Sequence, residues 1–222
     1  MKVTSRERPY KLIQCVKNHL DLANNLADMV WVFSFDTDDF NINKGHYLTI
    51  SELVPGCKFS IKDRTNKIGA INDGVPESGW DILLNISDDQ HPIVKGYDDF
   101  IRTNMPDDLD RSLWFSDGWQ NKINTQEIIG FNYYKRFNHI YHPEFKSFFC
   151  DNLSTEIAIK LGKSIKINKC IIKHLHPGWD ASLKNQNDNL YTSNNTHWEH
   201  DKALYTKLKQ TGLDKLCQSY QS

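Results

Sequence analysis

Trp80-Asp81-Ile82-Leu83-Leu84-Asn85-Ile86-Ser87-Asp88-Asp89-Gln90-His91-Pro92 is an apolar run closed by Gly79 on one side and by Pro92 on the other. Such a run reads as a buried strand. It empties at its carboxyl end into two adjacent carboxylates, with His91 two positions further on. In open α/β sheets, ligands gather beyond the carboxyl ends of the strands. Paired acids there suit a hard divalent cation, which takes oxygen ligands and often holds a substrate's phosphates at the same time. The same residues also suit a solvated, Asp-rich turn, and the stretch alone leaves both readings open.

A second stretch repeats the arrangement. Residues 29–35 form another apolar strand pattern, and it ends in Asp36-Thr37-Asp38-Asp39. Two strands that each deliver acids at their carboxyl ends say more than either cluster alone. Around them the chain alternates between strand and helix patterns. Residues 2–5 predict a short strand. Pro9 suits a first helical position, and Leu12, Ile13, Val16, Leu20 and Ala23 recur at the spacing of an amphipathic helix. Residues 41–54 predict a loop with a short helix, 58–61 a third strand, and 67–75 a helix with Gly74 and Gly79 near its exit. This βαβ alternation predicts an α/β fold with a mostly parallel central sheet flanked by helices.

Beyond Pro92 the pattern predicts a short helix over 97–103 and a strand over 111–116 ending at Asp117-Gly118. A helix over 125–137 and a loop over 138–149, rich in aromatics and histidines, come next. Asp151 opens a helix with Ile157, Ala158 and Leu161 on one face and Gly162 at its end. One last strand over 164–173 leads into His174-Leu175-His176-Pro177. The polar stretch 180–195 predicts a lid, and Thr196-His197-Trp198-Glu199 has capping-box spacing for a terminal helix reaching about residue 210. There is no internal repeat and no second domain boundary.

Composition narrows the function classes. A chain of 222 residues with 39% hydrophobic content can bury a core as one domain. A net charge of −1 provides no electrostatic footprint for nucleic acid. No apolar run approaches the ~18–20 residues that span a bilayer, and the opening residues lack the apolar core of a signal peptide. Five widely spaced cysteines without a Cys-x-x-Cys pair point to reduced thiols in a cytoplasmic compartment, and against a zinc knuckle or a disulfide frame.

The order of these signals resembles GT-A glycosyltransferases over nearly the whole chain, and most of all the small glycosyltransferase-like proteins of phages and bacteria. Ser5-Arg6-Glu7-Arg8-Pro9 resembles their opening arginine–proline element, and Phe35-Asp36-Thr37-Asp38-Asp39 their second-strand acidic end. Asn66-Lys67-Ile68-Gly69-Ala70-Ile71-Asn72 resembles their lysine–alanine–asparagine helix, and residues 82–89 the strand carrying the metal-binding DXD element. Cys150-Asp151-Asn152 resembles the later Glu-Asp element, and His174-Leu175-His176-Pro177 the terminal histidine element. Three departures stand out. The DXD element reads Ser87-Asp88-Asp89, the Glu-Asp pair reads Cys150-Asp151, and few residues precede Thr4 in the first strand.

The resemblance implies a single GT-A-like domain with a nucleotide-binding half (1–92) and an acceptor half (93–222). It implies a nucleotide-sugar donor of the UDP- or GDP-sugar class, a glycan or other hydroxyl acceptor, and a Mn2+ or Mg2+ ion. Asp89, with His176 and His174, would hold the metal. Thr4, Arg6, Asp36, Lys67 and Asp88 would line the nucleotide site, Asp117 and Trp119 the acceptor rim, and Asp151 would be the general base of an inverting transfer. The residues themselves leave plainer roles open: Asp38 and Asp39 capping a turn, Lys67 on the surface, His-x-His at a strand end, Asp151 capping its helix. Two other functions fit the same residues. One is a non-catalytic GT-A-like protein that binds a nucleotide or glycan; the other is a metal-dependent hydrolase built on Asp88, Asp89 and the histidines.

Overall fold

A computed structural model describes residues 1–63, 66–176 and 195–218. Residues 180–194 of the expected lid, together with Pro177, lie outside the described residues. In chain order the elements are β1 (Lys2–Thr4), α1 (Pro9–Leu22), β2 (Val32–Asp36), α2 (Lys44–Leu53), β3 (Lys58–Lys62), α3 (Lys67–Asn72), β4 (Ile82–Ser87), β5 (Gln90–Pro92) and α4 (Tyr97–Asn104). They continue with β6 (Ser112–Phe115), β7 (Ile128–Gly130), α5 (Phe131–Lys135), α6 (Cys150–Lys160), β8 (Ser164–Ile167), β9 (Ile172–His174), α7 (Trp198–Thr211) and α8 (Leu213–Gln218).

Seven strands form one sheet in the order β3-β2-β1-β4-β7-β6-β8, and β5 pairs with β9 in a separate ribbon. β1 lies between β2 and β4, parallel to both, and β2 is parallel to β3. β7 runs antiparallel to β4 and to β6, while β6 and β8 are parallel. Six strands therefore point the same way, and the carboxyl ends of β1, β2, β3 and β4 share one edge of the sheet. The α/β architecture expected from the sequence is present.

The central strands are buried along almost their whole length because helices cover both faces, as parallel sheets require. On α1 the buried positions Leu12, Cys15, Val16 and His19 form one face, and Pro9 starts the helix. Val3, Phe33, Phe35 and Ile86 pack under that face in one core cluster. Ile68, Ile71, Leu83, Ile129 and Leu153 belong to a second cluster that joins α3 and α6 to the sheet. Among the described residues no helix is long and apolar enough to cross a membrane.

Three expectations are corrected. Residues 125–137 are not one helix: β7 occupies Ile128–Gly130, and only Phe131–Lys135 is helical. Pairing on both sides with β4 and β6 overrides local helical preference here. The strand expected over 164–173 divides into β8 and β9, because its second part leaves the sheet to pair with β5. The loop and short helix expected over 41–54 are present as a ten-residue helix, opened by Asn43, whose side chain accepts from Gly45 and His46 N–H. The terminal helix starts at Trp198 with His197 at its N-cap and no side-chain cap bond, so Thr196 does not form a capping box.

Gly130 marks the tightest backbone crossing. A Cβ built there would stand 2.1 Å from the Leu109 carbonyl oxygen, a backbone atom that cannot swing aside. The neighbouring N–H groups are committed too, Gly130 to the Arg111 carbonyl at 3.0 Å and Tyr133 to the Leu109 carbonyl at 3.1 Å. Gly130→Ala is therefore expected to destabilise the protein by at least ~1–3 kcal/mol, the usual cost of overpacking. Chemical denaturation checks this; an unchanged midpoint would show that the crossing can relax.

Candidate functional site

The site is assembled where β1, β2 and β4 end. After Thr4, residues 5–8 turn sharply into α1, and Glu7 adopts φ 63°, an unusual conformation for a non-glycine residue. Its N–H is held by Asp39 Oδ2 at 2.8 Å. The turn sends two arginines in different directions. Arg6 reaches Asp36 Oδ2 at 2.6 Å and grips both oxygens of Asp38 at 2.8 and 2.9 Å. Arg8 is buried and lies 3.2 Å from Asp88 Oδ1 and 3.9 Å from Asp89 Oδ2. Ser5 Oγ donates to the other Asp88 oxygen at 2.5 Å. Thr4 is buried at the end of β1, in register with Ser34 and Ser87.

The two acids of the β4 end thus have different surroundings. Asp88 is occupied by Ser5 and Arg8. Burial, with the Asp89 charge adding to it, pushes the Asp88 carboxyl up to about 6, although Arg8 and Ser5 oppose the rise. Burial would also raise Asp89, but His174 outweighs it by charge and hydrogen bonding, with the Ser87 hydroxyl and Lys67 adding to the effect. Asp89 is accordingly held well below the usual carboxylate range. His174 Nε2 faces Asp89 Oδ2 at 3.4 Å. The backbone fixes this pairing, since Leu175 N–H donates to the Asp89 carbonyl at 2.7 Å.

The donor chemistry suits a divalent ion supplied with a diphosphate. Asp89 Oδ2 and His174 Nε2, 3.4 Å apart, are a carboxylate and an imidazole near enough that both would be available to one divalent ion. His176 has its ring centroid 5.6 Å from that of His174. Burial and the His174 charge lower its pKa, which favours the neutral imidazole that ligates metals. Among the described residues no group of three His, Cys, Asp or Glu side chains is arranged to hold a metal by itself. Asp89 and His174 would offer two donors to an ion that completes its shell with phosphate and water.

Asp151 arrives from the other side. It is the second residue of α6, after Phe149 at φ 58° in the N-cap position. The preceding loop is locked by Asp201, fully buried on α7, whose carboxylate accepts the N–H groups of Lys146, Ser147 and Phe148 at 2.8–3.0 Å. Ile68 N–H donates to the Lys146 carbonyl, tying α3 to the same loop. Burial raises the pKa of Asp151 against the Asn152 N–H bond and the charges of Lys67 and His174. Lys67 and His174 are thus near enough to Asp89 and to Asp151 to act on the charge of each.

Asp117 and Trp119 stand beside it. The Trp119 indole N–H donates to the His174 carbonyl at 2.6 Å, with Lys173 Nζ 4.5 Å from the ring centre. Asp117 is buried, and both its oxygens close its own loop by accepting from Trp119, Gln120 and Thr125. Its position shapes the rim while its carboxylate is spent on the turn. His91, left outside the site by the sequence reading, contacts Asn18 and the Asp88 carbonyl.

Two participants carry no role in the sequence analysis. Arg8 and Ser5 hold Asp88 from about 80 positions away in the chain. One signal for Arg8 was present: a cation just before Pro9 opposes the positive end of the helix dipole, so it needs an anionic partner. A cavity of about 510 Å3 opens at the other end of the sheet, lined by Val30, Trp80, Tyr97, Ile101 and Arg102 among others. It does not touch the acids at the carboxyl edge.

No protein-family model matches the chain, and no curated protein matches it in sequence. Solved structures do match. The mannosyltransferase PcManGT from Pyrobaculum calidifontis, in complex with GDP-Man and Mn2+, superposes with a TM-score of 0.62 at 11% identity, over 82% of this chain and 58% of that one. S. aureus TarS superposes at 0.58 and 12% identity, over 79% and 36%, and its 1–349 form at 0.53 and 12%, over 79% and 60%. The chain thus spans between about a third and three-fifths of the structures it resembles. The likeness gives the chain the GT-A glycosyltransferase fold.

Proposed function

We propose that this chain is a metal-dependent glycosyltransferase that moves a sugar from a nucleotide-sugar donor to an acceptor hydroxyl by an inverting displacement. The observation that supports it is that Lys67 and His174 lie near enough to Asp89 and to Asp151 to act on the charge of each, at the edge of a GT-A sheet that also holds the Arg6–Asp36 pair. Asp36, Arg6 and Thr4 border the nucleoside side. Lys67 faces the diphosphate, and Asp89 with His174 would hold Mn2+ or Mg2+. That ion, when bound, stabilises the charge that develops on the departing phosphate oxygens.

Asp151 takes the proton of the acceptor hydroxyl as the new glycosidic bond forms, and the nucleoside diphosphate leaves from the opposite face. Trp119 offers an exposed aromatic surface at the acceptor rim. The mannosyltransferase bound to GDP-Man puts GDP-sugars first among donors to test, with UDP-sugars next. A cytoplasmic site of action goes with the reduced cysteines. A second reading is a GT-A-like binding protein that does not transfer. It is favoured by Asp88 being occupied by Ser5 and Arg8.

A thermal-shift series of nucleoside diphosphates and nucleotide sugars, with and without Mn2+, tests the proposal. A ligand at 100 times its Kd should stabilise the native state by ~2.7 kcal/mol, and the shift should need the metal. Binding without turnover would select the second reading. No shift with any nucleotide would remove the transfer reading and leave only glycan binding of the second.

A further inference from the structure

Beneath Asp151 lies a carboxyl group that the proposed reaction does not use. Glu127 immediately precedes β7 and is 1% exposed. Its Oε1 accepts from Ser154 Oγ at 2.9 Å and from Ser112 Oγ at 3.5 Å. Its Oε2 is buried and has no hydrogen-bond partner. Ser154 lies on the first turns of α6, three residues after Asp151. The same loop grips α6 a second time: Asn124 N–H donates to Thr155 Oγ1 at 2.9 Å, and that hydroxyl donates to the Asp151 carbonyl at 2.7 Å.

Across the β4–β7 ladder, Asn85 N–H donates to the Glu127 carbonyl at 2.9 Å. Directly opposed residues on neighbouring strands present their side chains on one face. The Tyr141 hydroxyl engages the Asn85 side chain, so the unpartnered Glu127 Oε2 is the costly one. A carboxylate can only accept, whereas a carboxylic acid supplies an O–H donor.

The ionisable groups facing Glu127 are Asp151 from α6, Tyr133 from α5 and Tyr141 from the loop before α6. Any charge these groups carry is negative, so they favour the neutral acid. Burial pushes Glu127 up to about 7 against the Ser154 hydroxyl, and the Asp151 charge adds to the rise.

We propose that Glu127 is a positioning residue for Asp151: held as the neutral acid, it anchors the start of α6 through Ser154 and leaves Asp151 as the group that carries the negative charge. The inference rests on the transfer reading only for what Asp151 does; the protonation of Glu127 stands apart from it. A carboxyl group whose pKa is raised on folding binds more protons in the native than in the unfolded state. Its contribution to stability is complete below the ordinary value of 4.5 and is lost as pH rises through about 7. Glu127→Gln keeps the shape and a donor but cannot ionise.

At about pH 8 the Glu127→Gln protein is therefore expected to melt above the wild type, with the difference closing toward pH 5. Near pH 6 the infrared difference between the wild type and the glutamine variant should show a protonated-carboxyl band of Glu127, distinct from any band of Asp88 that the two proteins share. A glutamine variant that melts below the wild type at pH 8, or an absent band, overturns the proposal. For the positioning role, Ser154→Ala should lower kcat at least about tenfold with KM kept; an unchanged kcat overturns that part. A wild type without transfer activity would defeat the transfer reading, while melting and infrared results still decide the state of Glu127.

Discussion

Asp151→Asn is expected to cut turnover by roughly 10²–10⁴-fold, the usual contribution of a positioned general base, with donor affinity and melting temperature little changed. From the sequence, the free N–H groups at the start of α6 and the helix dipole would hold this carboxylate at low pKa and make it a modest base. The structure reverses that expectation. Asp151 stands inside α6, Phe149 takes the N-cap position, and burial outweighs the Asn152 N–H bond, Lys67 and His174 to raise the pKa. A carboxylate made more basic in the free protein is better matched to removing a hydroxyl proton.

The sign of the pH dependence follows. Transfer should rise with pH as Asp151 loses its proton, over a range above that of an ordinary aspartate, and this limb should vanish in the asparagine variant. Stability separates the role from capping. Loss of a true cap in Asp151→Ala would cost ~1 kcal/mol, whereas a residue outside the N-cap position should leave stability near that of the wild type. Near-wild-type transfer by the asparagine variant would remove Asp151 from the mechanism.

The carboxyl edge of the sheet was legible because strands buried on both faces must be largely apolar along their length. Residues 82–87 and 32–36 therefore stand out, and the acids that follow them mark the edge. That pattern put Asp36 and Asp89 at one edge, and the family resemblance added Lys67 and Asp151 to the expected site. What escaped was decided by contacts between distant segments. β7 is three residues long, too short for any periodicity, and exists because β4 and β6 flank it. Glu127 then passes for a helical surface residue, although it is one of the most buried acids of the chain. Asp88 read as a nucleotide contact, yet Arg8 and Ser5 already occupy it, and nothing local to residue 88 announces partners about 80 positions away. Asp201, likewise, gives no sequence hint that it locks the loop leading to Asp151.

The adjacent acids at the end of β4 should separate cleanly on substitution. Asp89→Asn is expected to abolish the Mn2+-dependent tightening of nucleoside diphosphate binding, a loss of at least about 10–100-fold given what even weaker perturbations of metal sites cost. The fold should survive, because asparagine can still accept from the Ser87 hydroxyl, and the Leu175 N–H is held by the backbone carbonyl. Asp88→Asn should behave in the opposite way toward the metal. Asparagine can still accept from Ser5 and Arg8, and Arg8 keeps Asp89 as a partner, so stability should change by less than the ~3–5 kcal/mol that a buried charge left uncompensated costs. Metal-dependent binding should persist, since Asp89 and His174 are untouched. Titration calorimetry of a nucleoside diphosphate with and without Mn2+, paired with denaturation curves, reads both effects. Equal affinity with and without metal in the wild type would mean that Asp89 and His174 hold no ion. The low pKa of Asp89 would then belong to an Asp–His pair that orders the site without a metal.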